Sequence, residues 1–131
     1  MRSAGFGDDR TPVIVGVGEI TERARDPAQG HEPVALMQWA LQLAEQDAGA
    51  RLLPSLDSLE IVSEYSWPYA DIVSLLKARL GVAPGYARYG EVGGESPVRF
   101  IHEAALRIAR GEAKVAAVVG AEASYTQCHQ Q

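Results

Sequence analysis

The feature that most restricts what this chain can fold into is an alternation of two periodicities. Short β-branched runs and helix-length amphipathic stretches follow one another from Pro12 to Val119. "PVIVGVGEI", residues 12–20, is apolar and closed by Gly16 and Gly18, and it predicts a buried strand. From Pro33 to Ala48 the pattern becomes helical. Leu36, Ala40, Leu43 and Ala44 recur at i, i+4, i+7 and i+8, and Gly49 stands where a helix C-cap wants glycine. "LDSLEIV", Leu56 to Val62, predicts a second strand. Asp71 to Leu80 predicts a short helix with Ile72, Leu75, Leu76 and Leu80 on one side, ended by Gly81. Ala87 to Val92 predicts a third strand, although Arg88, Gly90 and Glu91 weaken its β propensity. Pro97 to Arg110 predicts a helix and Lys114 to Val119 a strand. The order β-α-β-α-β-α-β predicts an α/β fold with a mainly parallel sheet and helices on both faces.

In open sheets of this kind, ligands sit beyond the carboxyl ends of the strands. That rule selects four loops: Gly18 to His31, Ser63 to Tyr69, Gly93 to Ser96, and Glu122 to Tyr125. The second, "SEYSWPY", places Tyr65, Trp67 and Tyr69 within seven residues. Tyr65 and Trp67 are candidates for a pocket wall or a subunit contact. The alternative is a loop that buries its own rings.

Composition removes several classes of function. The chain has 131 residues, 22% of them charged, with a net charge of −5. An acidic chain with no basic cluster argues against nucleic acid as a partner. The longest apolar run, Val115 to Val119, is too short to span a membrane. "MRSAGFGDDRT" at the start has no apolar signal core. A single cysteine, Cys128, excludes an internal disulfide and is compatible with a reducing compartment. A cytoplasmic location is the expectation.

The obvious chemical motifs do not close. "VIVGVGEI" supplies G-x-G at Gly16 and Gly18, but Thr21 stands where the third glycine of a dinucleotide fingerprint belongs, and the next helix starts too late. "GESPV", Gly94 to Val98, half-matches a nucleophile elbow around Ser96. Val98 replaces the closing glycine, however, and Pro97 has no N–H to offer an oxyanion. Ser96 as helix N-cap with Pro97 at N1 explains both residues without catalysis. His31, His102, His129 and Cys128 show no metal-ligand spacing, so no metal is expected. Glu103 and Arg107 are spaced as a favourable i,i+4 ion pair.

The stretch "GESPVRFIHEAALRIARGEAKVAAVVGAE", Gly94 to Glu122, resembles the nucleophile region of thiolases. Those enzymes carry a cysteine-containing turn, an alanine-rich helix, a G-E-A turn, a run of small apolar residues and G-x-E. Here Ser96 falls on the motif serine, Ala104 and Ala105 on the helix alanines, Gly111, Glu112 and Ala113 on the turn, and Glu122 on the terminal acid. "TPVIVGVGEI" resembles the opening thiolase strand and "LDSLEIV" the second. The resemblance runs from about Thr11 to Tyr125 and is most specific in the last third. The thiolase cysteine, which accepts the acyl group, falls on Gly94. "GGESP" is similar to the turns of thiolase-like proteins related to the sterol-carrier-protein thiolases, in which that cysteine is absent.

The resemblance implies the N-terminal half of a thiolase-like fold, incomplete because thiolases draw further catalytic residues from a C-terminal half. The Gly-, Asp- and Arg-rich start predicts a flexible tail over residues 1–11, followed by a partial thiolase-like domain over 12–125 and a polar tail over 126–131. The resemblance also implies acyl-CoA binding at Gly93, Gly94 and Ser96, with Tyr65 and Trp67 nearby. Acyltransferase or carbon–carbon chemistry would then require a full-length or partnered assembly, with Glu95 as the one ionisable group beside the turn. A non-catalytic acyl-CoA-binding or scaffold module is the alternative. A coenzyme A thioester is expected as substrate or ligand, with no other cofactor. The expected partners are the missing half, a second chain, or another copy of this one.

Overall fold

The computed structural model describes residues 10–128. Its helices are α1 (Pro33–Ala48), α2 (Ile72–Leu80), α3 (Ser96–Ala109) and the short α4 (Ser124–Gln127), with single 3₁₀ turns at Pro27–Gln29 and Leu53–Ser55. Its strands are β1 (Ser58–Ile61), β2 (Tyr86–Tyr89) and β3 (Ala116–Val119). They form one parallel sheet in the order β2-β1-β3. Ser58 pairs with Tyr86 on one side and Ala116 on the other, and Ile61 with Tyr89 and Val119.

Every residue of β1 is buried. A central parallel strand covered on both faces has that pattern. Its period of two divides the molecule. Leu59 and Ile61 join Val34, Met37 and Leu41 of α1, and Ile72 and Leu76 of α2, in one apolar core. Ser58 and Glu60 point the other way, where Arg107 of α3 bonds to both. Helices therefore cover both faces, as the alternation predicts.

The helix ends follow local chemistry. Gly49 and Gly81 take left-handed conformations, φ 69° and 67°, and end α1 and α2 as their positions predict. Asp71 caps α2 by accepting the Ser74 N–H at 3.1 Å. The start of α1 has no side-chain cap of its own. Instead, the Tyr69 hydroxyl accepts the Val34 N–H at 3.0 Å.

Residues 12–20 depart from expectation. The segment forms no strand of the sheet, and Val13, Ile14, Val15 and Val17 are 59–74% exposed. It lies along α1, where the Val17 N–H donates to Asp47 Oδ2 at 2.8 Å. Gly16 and Gly18 do not close a buried strand. They let the chain touch the helix, since a Cβ at either would collide with the carbonyl of Ala44 or Ala40. At the other end, α4 carries order past residue 125, and Thr126 is buried, so the fold continues into the residues expected to be a polar tail.

Candidate functional site

The turn from Gly93 to Ser96 lies where predicted, between β2 and α3, at the carboxyl end of the sheet. Its details differ. Glu95, not Ser96, occupies the N-cap of α3, and it makes no side-chain cap bond. Ser96 is the first helical residue and is fully buried; its hydroxyl donates to the Glu91 carbonyl at 2.9 Å. That bond and the Ser96 N–H donated to the Gly93 carbonyl at 3.1 Å pin the turn. Neither Gly93 nor Gly94 has positive φ; among the described residues Gly49, Gly81 and Gly111 do. The glycines are thus not required by backbone handedness.

What distinguishes the two is space. A Cβ on Gly94 would meet no heavy atom within 4 Å. A Cβ on Gly93 would meet the Glu95 carboxylate, 2.7 Å away at Oε2. Glu95 therefore folds back over Gly93 while Gly94 stays open. Arg99 is loosely placed beside this carboxylate, with Nη1 3.9 Å from Glu95 Oε1 and Nη2 3.6 Å from Glu91 Oε2. These exposed pairs contribute little stability.

The aromatic loop after β1 is held by carboxylates as well as by Tyr69, which packs against the core. Glu122 accepts the N–H groups of Tyr65 and Ser66 at 2.8 and 3.0 Å. Ser66 Oγ accepts the Ala123 N–H at 2.8 Å, and Glu64 Oε2 accepts the Trp67 N–H at 2.8 Å. The Tyr89 hydroxyl accepts the Glu64 N–H at 2.8 Å and donates to the Glu64 carbonyl at 3.2 Å. The result separates the two aromatic candidates. Tyr65 is 71% exposed, whereas Trp67 is half-buried and lines a cavity of about 230 Å³ with Glu64, Tyr69, Ile72 and Tyr89. Burial pushes the Glu64 carboxyl above its ordinary value, with Glu122 adding to the effect against the Trp67 N–H. Burial pushes the Tyr69 hydroxyl up to about 12. None of Gly93 to Ser96 lines this cavity.

Glu64 and Tyr89 build the site together with Glu122, and the sequence singles out neither of the first two for it. The position of Glu122 in the small-residue run after β3 marked it as a motif residue, but nothing in its spacing pointed to Tyr65 and Ser66, which lie 57 and 56 residues away. Of the histidines, His102 is exposed on α3, His31 lies in the loop before α1, and His129 falls outside the described residues. Among the described residues no cluster of His, Cys, Asp and Glu could hold a metal ion.

No family model matches the sequence, and no curated protein matches it. Among solved structures the chain is similar to the crystal structure of a monomeric SCP2-thiolase like protein type 1 (STLP1) from Mycobacterium smegmatis, with 30% identity and a TM-score of 0.71. The similarity covers 85% of this chain and 23% of that one.

Proposed function

We propose that this chain, which carries part of a thiolase-like fold, supplies the acyl-CoA-facing portion of a thiolase-like protein whose acyl-accepting cysteine is replaced by Gly94. The observation that carries this reading is the open place at Gly94, where an added Cβ would touch nothing within 4 Å. It lies two residues before the first helical residue of α3, where the helix dipole favours a carbonyl oxygen or an anion, although the Ser96 N–H is taken by the Gly93 carbonyl and Pro97 has none. A thioester carbonyl fits that chemistry.

Without sulfur at this position, no acyl group can be carried on the residue itself. Acyltransfer or carbon–carbon chemistry then belongs to an assembly in which the rest of the fold, a partner chain or a second copy supplies the nucleophile. Two exposed apolar residues of α3 support such a partner: Val98 is 72% exposed and Ile101 47%. In this reading Glu95 is the ionisable group at the turn, and its 69% exposure gives it an electrostatic role at the helix start. The setting is lipid metabolism in the cytoplasm. No helix among the described residues is long and apolar enough to cross a membrane.

Calorimetric titration of the chain with acetyl-CoA tests the reading. Saturable binding that Gly94→Trp abolishes, with the variant still folded, is expected. Equal affinity in wild type and Gly94→Trp would overturn the binding seat. Mass spectrometry after incubation with acetyl-CoA separates the two forms of the proposal. A covalent acetyl adduct means catalysis on this chain, and reversible binding alone means a non-catalytic module.

A further inference from the structure

The loop before α1 holds a side-chain pair that the turn at Gly94 does not use. One carboxylate, Glu22, bonds twice to one residue: Oε1 accepts the His31 main-chain N–H at 2.6 Å, and Oε2 meets His31 Nδ1. A carboxylate on Nδ1 places the proton on that nitrogen and leaves the lone pair on Nε2. Trp39 of α1 packs against the imidazole, with ring centroids 5.7 Å apart at 62°. The imidazole is therefore held from its backbone, its Nδ1 and its contact with Trp39.

This pair borders a cavity of about 240 Å³, lined also by Thr21, Leu36, Glu122 and Tyr125. The wall is close-packed where the loop meets α4, since a Cβ on Gly30 would strike the Thr126 hydroxyl. We propose that this cavity binds a small uncharged hydroxyl compound, with the Glu22-oriented His31 as the acceptor of its hydroxyl hydrogen bond.

Charge and size select the ligand class. No lysine or arginine lines the cavity and two carboxylates do. Phosphates and carboxylates are repelled there, so the cavity is unsuited to the anionic end of an acyl-CoA and is a site separate from the turn at Gly94. Both Glu22 oxygens already accept from His31, and both Glu122 oxygens from the Tyr65 and Ser66 N–H groups, which offsets part of their pull on an ammonium and makes the amine the competing ligand of the test. A hydroxyl donates to Nε2 and can accept from Thr21, while Ile20 and Leu36 cover a short carbon skeleton. A volume below the range of roughly 300–1,000 Å³ usual for drug-sized ligands limits that skeleton to a few carbons. The same His31 contacts hold the Glu22 carboxyl below its ordinary value despite the opposing effect of burial, which keeps it an acceptor for Nδ1–H.

Nitrogen-15 NMR of the imidazoles in the full chain tests this, with 1,2-propanediol, lactate and 1-amino-2-propanol as matched probes. The expected result is a proton on His31 Nδ1 and a saturable shift of Nε2 with the diol alone. Glu22→Gln should weaken diol binding roughly tenfold, equivalent to about 1.4 kcal/mol. Thr21→Trp, at an exposed lining position, should fill the cavity and remove the response while the backbone spectrum stays folded. A proton on Nε2, a shift linear in diol, equal or tighter binding of lactate or the amine, or an unchanged response in Thr21→Trp would each overturn the proposal. None of these readouts involves coenzyme A, so failure here and failure of the acyl-CoA reading are distinguishable.

Discussion

Arg107 of α3 is ion-paired with Glu60 at the centre of β1, a carboxylate with no exposed surface. The same guanidinium bonds Ser58 Oγ at 3.1 Å and lies 4.1 Å above the Tyr86 ring centroid. One side chain thus ties the helix after the glycine turn to two strands. Farther along α3, Arg88 and Glu103 pair at 3.3 Å, and Arg88 and Arg99 stack on Phe100. The α3 face of the sheet is held by charge and rings, the α1–α2 face by aliphatic packing.

The Glu60–Arg107 pair predicts an asymmetry in mutational cost. Arg107→Met leaves a buried carboxylate without its partner and should cost about 3–5 kcal/mol. Glu60→Leu combined with Arg107→Met removes both charges and should recover most of that loss. Denaturant unfolding of the two variants checks this. A double variant as unstable as Arg107→Met would show that the pair, not the unpaired charge, dominates.

Glu64 predicts a pH effect of definite sign. Its folded-state pKa is raised above the ordinary value of 4.5, by burial first. The folded state then holds a proton that the unfolded state releases, so stability falls as pH rises from the ordinary carboxylate value through the folded one. Glu64→Gln keeps an oxygen for the Trp67 N–H and removes the titration. Thermal melts across the acidic and neutral range should show the variant gaining on wild type as pH rises. A variant that loses ground to wild type as pH rises would contradict the assignment.

The glycines around the turn should differ in tolerance. Gly94 has neither positive φ nor a neighbour in the way, so Gly94→Ala should change stability by no more than about 0.5 kcal/mol. At Gly93 a methyl displaces only the flexible Glu95 carboxylate. Gly90 is different: it is buried, and a Cβ there would enter the Phe100 ring, so Gly90→Ala should cost about 1–3 kcal/mol. Comparative unfolding of the three alanine variants settles the order. A strained Gly94→Ala would contradict the open space beside that residue.

Elements governed by local rules were readable from sequence. The apolar period of α1 and α2 and the glycines at positions 49 and 81 depend only on neighbours along the helix. The run at 12–20 shows where that stops. A β-branched segment specifies extended backbone, but whether it enters a sheet depends on a partner edge that its own residues do not encode. Arg107 is the same lesson in electrostatics: its spacing favours Glu103, yet a fully buried carboxylate 47 residues away takes the interaction. The turn between β2 and α3 lies where the sequence puts it, while its N-cap is Glu95 rather than Ser96. Glu22 and His31 obey no helix or strand period, so only the place of their loop among the four selected ones points to it.

Tyr69 should report its own burial. Its hydroxyl, raised from 10 to about 12, is held in the core interface and accepts the Val34 N–H. Because the protonated form is favoured in the folded state, stability should decline as pH climbs from about 10 towards 12. Ultraviolet titration of wild type minus Tyr69→Phe should isolate one late-ionising tyrosine. The substitution should also cost about 1–3 kcal/mol, since the buried Val34 N–H loses its acceptor. A difference titration centred at the ordinary tyrosine value would mean that Tyr69 is solvated.

The contact between residues 12–20 and α1 gives the last test. At Gly16 and Gly18 the chain lies against the carbonyls of Ala44 and Ala40, with no room for a methyl group. Backbone carbonyls of a helix cannot turn aside as a flexible side chain can, so the segment itself must lift. The bond from the Val17 N–H to Asp47 would break with it. Gly18→Ala should therefore raise hydrogen exchange at Val17 to nearly that of an open amide, while amides of β1, buried on both faces, keep their protection. Asp47→Ala should give the same local effect without the clash, separating loss of the bond from loss of the fit. The four exposed β-branched residues, Val13, Ile14, Val15 and Val17, contribute little burial to oppose release. If Val17 exchanges slowly in both variants, the segment is held by something other than its approach to α1.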